Sequence, residues 1–289
     1  MQIWPAPAKL NRFLHIVGQR EDGYHSLQSI IQFIDLCDQL TFDLREDESI
    51  ACHNSNSTIL PEDDLCLKAA QLLKNELRAT QGVEIKIKKI IPTGAGLGGG
   101  SSNAATTLLA LNELWDGGLG LSELERLGEQ LGADVPVFIR GQSCWVEGVG
   151  ERLSPITLQQ AWFVILYPNV HLNTREMFSD PDLTRSCAPL KIRDFLKLAE
   201  VEEGLQDTHN VFEDIARRHP AVERAFQLLS QYVPARLTGS GSTLFARCET
   251  KQQADNIAQK CAKEFTTYAV KGLNQSPVIS RSEYNYPST

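Results

Sequence analysis

Pro92-Thr93-Gly94-Ala95-Gly96-Leu97-Gly98-Gly99-Gly100-Ser101-Ser102 places five glycines in one short stretch, and the segment 103–115 follows with Ala104, Leu108, Leu111 and Trp115 on one helical face. Ordering a glycine costs about 0.5–1 kcal/mol more than ordering an alanine, so this stretch gives up stability for another end. Glycines let the backbone turn its N–H groups inward, and the unpaired first-turn amides of the following helix point the same way. The guest this implies is an anion, phosphate above all. A helix dipole contributes about 0.3–1 kcal/mol and each charge-assisted hydrogen bond roughly 1.5–3 kcal/mol. The amide nest therefore outweighs the dipole. An alternating strand at Val83, Ile85 and Ile87 leads in, which argues against a linker.

The common phosphate loops do not fit. A P-loop requires a lysine where Gly100 stands. Gly94, Gly96 and Gly99 satisfy G-x-G-x-x-G, but a dinucleotide site also needs an acid ending a second strand about 20 residues on. That region here is Trp115-Asp-Gly-Gly-Leu-Gly120. The protein-kinase signatures V-A-I-K, H-R-D and D-F-G are absent.

The 289 residues, 42% hydrophobic, suffice for one or two buried cores. A net charge of −8 and the lack of a basic run argue against nucleic acid, and require a local cationic site for any anionic substrate. The seven cysteines are scattered without a C-x-x-C pair, so they read as reduced core thiols rather than as zinc or redox centres. Pro5 and Pro7 interrupt the apolar start, and no run of 18 apolar residues exists. The expectation is a cytoplasmic protein without a signal peptide or membrane span.

Residues 3–17 predict a first strand with prolines confined to its beginning. Lys9 lies within it, where a lone lysine is ordinarily a surface residue. Residues 18–23 predict a turn ending in Asp22-Gly23, with Tyr24 and His25 next and a second strand through Ile30, Ile31, Phe33 and Ile34. Residues 43–49 read as a charged loop, and the acids of 61–64 decorate the start of a helix carrying Leu65, Ala69, Leu72, Leu73 and Leu77. Ser122 and Glu125 suggest a capping box for a helix ending near Gly132. Asp134 follows, ahead of the apolar Val135, Val137, Phe138 and Ile139, which restrict its solvation. A second domain is expected after Pro155, opening with a strand at 162–167. Helices at 192–200, 211–218, 221–232 and 252–265 follow, with a strand at 268–273. A second glycine-poised loop, Leu237-Thr-Gly-Ser-Gly-Ser-Thr243, reads as another wall of the phosphate site.

Three of these stretches, in order, resemble the motifs of the GHMP small-molecule kinases: Pro7-Ala8-Lys9-Leu10-Asn11, Pro92 to Ala105, and Leu237 to Leu244. Within that superfamily, residues 18–25, 132–138, 148–151 and His209-Asn210 resemble the kinases of cytidine diphosphate-linked methylerythritol. Two positions depart from the pattern. Ala95 replaces a usual glycine, tolerable unless φ must be positive there, and Arg12 stands where an apolar residue is commoner.

The resemblance implies a two-domain α+β GHMP kinase fold. Residues 1–155 would form a ribosomal-protein-S5-like domain with a left-handed βαβ unit, and residues 156–289 a ferredoxin-like α/β domain. It implies transfer of the ATP γ-phosphoryl group to the 2-hydroxyl of the substrate, with Lys9 and Asp134 as the catalytic pair. Pro92 to Ser102 would hold the ATP phosphates, Gly239, Ser240 and Gly241 would form the third motif, and Mg²⁺ would meet Ser101 or Ser102. Asn11, Tyr24, His25, Val149, Thr174, Phe178 and Asn210 would bind the substrate. The implied partner is this small molecule, with no nucleic acid or membrane, in a monomer or weak homodimer. The alternatives are a sibling kinase of homoserine or mevalonate type, and a non-catalytic nucleotide-binding protein on the same fold.

Overall fold

The computed structural model describes residues 2–55, 63–195 and 204–279. Strand β1 (Trp4–Gln19) runs antiparallel to β2 (His25–Arg45), from Trp4 opposite Leu40 to Gln19 opposite His25. The predicted turn joins them. Gly23 takes φ +83°, and the Asp22 carboxylate accepts the Tyr24 N–H at 3.1 Å. Because β2 continues to Arg45, the charged loop expected at 43–49 shrinks to its last four residues.

β3 (Ile50–Asn54), α1 (Leu65–Leu77) and β4 (Gly82–Lys88) form a βαβ unit, with β3 and β4 parallel. Asp64 caps α1 by accepting the N–H groups of Cys66 and Leu67; Pro61 and Glu62 lie outside the described residues. Then come α2 (Gly99–Leu114), α3 (Leu121–Glu129), α4 (Val135–Arg140), β5 (Cys144–Gly148) and β6 (Arg152–Pro155). The capping box of α3 differs from the expectation. Glu123 reaches back to the Gly120 N–H at 2.8 Å, Ser122 sits inside the first turn, and Glu125 instead forms two 2.8 Å bonds to Arg140.

The remaining elements are β7 (Trp162–Tyr167), α5 (Thr174–Ser179), α6 (Glu213–Ala216), α7 (Pro220–Ser230), β8 (Arg236–Leu237), β9 (Leu244–Cys248), α8 (Lys251–Cys261) and β10 (Thr266–Leu273). The helix expected at 192–200 is a single 3-10 turn at Ile192–Phe195 as far as it is described, and the one at 211–218 shortens to α6. One sheet path runs β3-β4-β2-β10-β7-β9-β8, with β1 and β5 also pairing with β2. β10 pairs with both β2 and β7, so it joins the two halves of the chain through backbone hydrogen bonds.

The core divides accordingly. Leu108, Leu111, Ile85 and Phe138 pack in the first half, and Leu166, Phe212, Leu229 and Leu244 in the second. A third cluster, with Ala8, Leu10, Ile34, Phe163 and Phe245, bridges them.

β1 shifts register between Asn11 and Phe13, and again between Ile16 and Gly18. A bulge inserts one residue and exchanges the two faces beyond it. Odd-numbered Lys9 and Asn11 therefore face the same cavity as Leu14, and Gln19 faces it after the second of these shifts. Arg12 stands at the first bulge. It is buried, donates to Gln32 Oε1 at 2.7 Å and lies 5.0 Å from the Phe163 ring centre. Packing of the strand is preserved because the guanidinium is bonded and stacked.

Candidate active site

The glycine loop closes around its own backbone. Gly94, Gly96 and Gly98 take φ values of +65°, +78° and +72°, whereas Ala95 is not in the left-handed region, so the alanine substitution is unstrained. Gly98 is the N-cap of α2 and supplies no side-chain acceptor. The Ser102 N–H is the first to bond back, to Gly98 O at 2.9 Å, leaving the amides of Gly99, Gly100 and Ser101 for a ligand. Two carboxylate bonds fix the approach to the loop: Asp38 accepts the N–H groups of Ile90 and Ile91 at 2.7 and 2.8 Å, and is itself paired with Lys89.

The second glycine loop packs directly against the first. A Cβ on Gly96 would lie 2.5 Å from Thr238 O, and one on Gly239 2.8 Å from Gly96 O. The Thr243 N–H donates to Ala95 O at 3.3 Å, and Thr238 Oγ1 accepts the Asn11 N–H at 2.9 Å. Asn210 donates to Leu237 O at 3.0 Å and Gly239 O at 2.8 Å while accepting the Phe212 N–H at 3.0 Å. Its amide is thereby engaged in positioning the loop. Asn210 does not line the cavity described below, unlike the other six expected substrate contacts.

Lys9 is 4% exposed, which overturns the surface reading of a lone strand lysine. Its backbone N–H donates to Leu97 O at 3.0 Å, tying β1 to the glycine loop. The ammonium donates to Asn11 Oδ1 and lies 3.5 Å from Asp134 Oδ2. Asp134 is the N-cap of α4 but makes no capping hydrogen bond, and its side chain is 44% exposed. The carboxylate is thus held by a buried cation on one side and open on the other. Asn11 in turn donates to Ser29 Oγ at 2.9 Å, which fixes its amide and with it the lysine.

Both residues face a cavity of about 900 Å³ that also contains Gly94, Gly96, Gly98, Ser101, Gly239, Ser240 and Gly241. Its far end is aromatic. His25 stacks on Phe178 at 5.3 Å and accepts Arg185 Nε–H at Nε2 over 3.3 Å. Burial, and then the Arg185 cation, lower the His25 pKa, so the ring is neutral at pH 7 with its proton on Nδ1. Tyr24, 65% exposed, stands on the rim, and Val149 and Thr174 also line the cavity. Thr174 Oγ1 meets Ser240 Oγ at 2.7 Å. A smaller hollow shares the loop, lined by Pro92, Thr93, Ala95, Gly99, Gly100 and Asn103 among others. Leu97 is buried beneath it, and Ser102 is fully buried with its hydroxyl unpartnered among the described residues.

Residues 64–142 match the GHMP kinases N terminal domain, and residues 191–267 the GHMP kinases C terminal. The chain is 48% identical to a 4-diphosphocytidyl-2-C-methyl-D-erythritol kinase of Nitrosococcus oceani, over 96% of this chain and 97% of the relative. It is 44% identical to one of Shewanella loihica over 96% of both. The chain belongs to the 4-diphosphocytidyl-2-C-methyl-D-erythritol kinase family of GHMP kinases. A crystal structure of 4-(cytidine 5'-diphospho)-2C-methyl-D-erythritol kinase superposes with a TM-score of 0.81 at 29% identity, covering 94% of this chain and 99% of the other. A mevalonate kinase crystal structure, at TM-score 0.69 and 16% identity over 95% and 100%, shares the two-domain α+β fold of GHMP kinases.

Sequence reasoning did not single out His171 and Arg185, two polar residues of this GHMP kinase that line the cavity. His171 follows β7, and its Nδ1 lies 3.1 Å from Gly94 O. A Cβ on Gly94 would strike that ring at 2.2 Å. Arg185 sits in an irregular segment, where it also donates to Leu183 O, Phe178 O and Asp180 O. Neither occupies a periodic element or a motif, so only tertiary contact reveals them.

Proposed function

We propose that the chain transfers the γ-phosphoryl group of ATP to the 2-hydroxyl of 4-diphosphocytidyl-2-C-methyl-D-erythritol, yielding the 2-phosphate and ADP in the non-mevalonate isoprenoid route. The observation that carries this reading is the Lys9–Asp134 pair, 3.5 Å apart, in one cavity with two glycine loops and an aromatic end. In this reading the protein is cytoplasmic and a monomer or weak homodimer, divided at 155/156.

Phosphoryl transfer proceeds through a loose transition state, so catalysis is positioning and charge stabilisation. The free amides at the start of α2 and the glycine loop cradle the phosphates. Asp134 accepts a hydrogen bond from the substrate hydroxyl, aims its oxygen at the γ-phosphorus and takes the proton as the P–O bond forms. Its exposed side passes that proton to solvent. Lys9, kept in place by Asn11, holds the carboxylate and offsets charge on the transferring group. At the other end, neutral His25 presents an Nδ1–H donor and Tyr24 and Phe178 offer faces to the cytosine.

Mg²⁺ binds nucleotide phosphates with few protein ligands and several waters. The donor set fits: Ser101 lines both hollows. Ser101 would hold the ion together with phosphate oxygens and waters, and the ion supplies neutralisation of phosphate charge. Buried Ser102 contributes its place in α2 rather than a ligand. No helix among the described residues is long and apolar enough to cross a membrane.

The test is ADP release from purified protein with Mg·ATP and the cytidyl substrate. Absence of turnover there, with turnover on homoserine or mevalonate, would transfer the assignment to a sibling activity. ATP binding without ADP release on any of them would make the protein a non-catalytic binder.

A further inference from the structure

We propose that His15, Cys187 and His209 form a site for a borderline transition-metal ion of the Zn²⁺ class, separate from the Mg·ATP site. Their ligating atoms all lie within 4.8 Å of one another. The three residues come from distant parts of the chain and are brought together by backbone bonds to β1. The Cys187 N–H donates to Ile16 O at 2.8 Å, the Leu14 N–H to His209 O at 3.1 Å, and the Val211 N–H to Leu14 O at 3.0 Å. Each ligand is therefore anchored within one residue of a bond to the same strand.

A buried histidine is usually satisfied by its surroundings. His15 is not. It packs edge-on to Phe13 at 5.0 Å and against the His209 ring at 4.5 Å, yet Nδ1 is buried without a hydrogen-bond partner among the described residues. Nε2 has a long 3.4 Å contact from the His209 N–H as its one partner among the described residues.

Tetrahedral zinc holds nitrogen at about 2.0–2.1 Å and thiolate sulfur at about 2.3 Å, which puts the donor atoms roughly 3.3–3.6 Å from each other. Closing the observed cluster takes about an ångström of movement by that measure. Cys187 is half-buried and His209 exposed, so both have room to make it. One thiolate and two imidazoles suit Zn²⁺, Co²⁺ or copper, whereas Mg²⁺ takes oxygen ligands. Three protein ligands leave a fourth position for water.

Such an ion would fasten two segments that serve the cleft. Asn210, next to His209, holds the second glycine loop, and Arg185, two residues before Cys187, holds His25. The spacing of 15, 187 and 209 has no local motif, which is why counting cysteines in the sequence argued against zinc.

The full chain, freed of metal with EDTA, is titrated with Co²⁺. A thiolate-to-cobalt charge-transfer band should rise to saturation at one ion per chain, persist in excess Mg²⁺ and vanish on adding Zn²⁺. Cys187→Ser should abolish the band, Cys37→Ser should keep it, and His209→Ala should weaken Co²⁺ binding by at least about tenfold. A band that survives Cys187→Ser, or no band at all, overturns the site. A second measurement needs no variant: Zn²⁺ should raise the melting temperature and protect Cys187 from alkylation, read by peptide mass. Equal alkylation with and without Zn²⁺ overturns the proposal as well.

Discussion

Asp134→Asn keeps the shape of the side chain but removes the proton acceptor and the charge facing Lys9 at 3.5 Å. A positioned base contributes about 10²–10⁴-fold, so kcat should fall by at least about a hundredfold while ATP affinity, measured by calorimetry, stays near wild type. Near-normal turnover in the Asp134→Asn variant would show that the carboxylate only orients. His25→Ala should raise KM for the cytidyl substrate much more than KM for ATP; equal effects on both would remove His25 from the base site. Arg185 extends this to pH. Because burial and the Arg185 cation lower the His25 pKa below its ordinary 6.5, the neutral ring, whose Nε2 accepts from Arg185, persists as pH falls through 6.5; protonation would turn that acceptor into a charged donor facing Arg185 and displace the ring, so substrate KM should rise only below that. In Arg185→Ala the cation is gone, the pKa moves up, and the rise in KM should begin at higher pH. A pH profile that does not move in the variant would separate Arg185 from His25.

Among the elements, α2 and the two glycine loops were the most legible, because a left-handed backbone leaves glycine as the residue of choice and an apolar face at helical spacing marks α2. Gly96→Ala tests the loops. It forces φ +78° on a Cβ that would sit 2.5 Å from Thr238 O, a strain of about 1–3 kcal/mol before any clash. Nucleotide affinity should drop sharply, and unaltered ATP binding would mean the loops are looser than their interlocked geometry. Leu108→Ala, fully buried in α2 away from the cavity, should cost about 2–5 kcal/mol of stability in a denaturant titration, with KM values unchanged. Element ends were less legible. Glu123 and Glu125 both suit a helix start, and which one caps α3 depends on Arg140 drawing Glu125 away. Periodicity likewise overran α6, whose four residues end within a crowded turn.

At the scale of the whole molecule, the site joins parts of the chain that no spacing connects. Lys9 and Asp134 became partners in the sequence reading through resemblance alone, since nothing local in either segment points to the other. His171 and Arg185 had no such guide, and Asn210 was assigned to the substrate although its amide serves the backbone of the second loop. The cysteines were legible as reduced thiols: all seven are free, and burial pushes Cys37 and Cys144 up to about 12 and Cys248 to about 11. The register shifts that flank residues 13–16 of β1 have a consequence for how such a chain can change. Between them the strand works like a message read in a displaced frame: Lys9 and Asn11 before the first of these shifts and Leu14 after it give one continuous wall. Removing Arg12 would lose a single side chain, yet restore the frame and turn everything from Phe13 to Ile16 over. Leu14 and Ile16 would leave the second-half core, and Phe13 and His15 would swing into their place. Along this strand, length is more tightly constrained than composition.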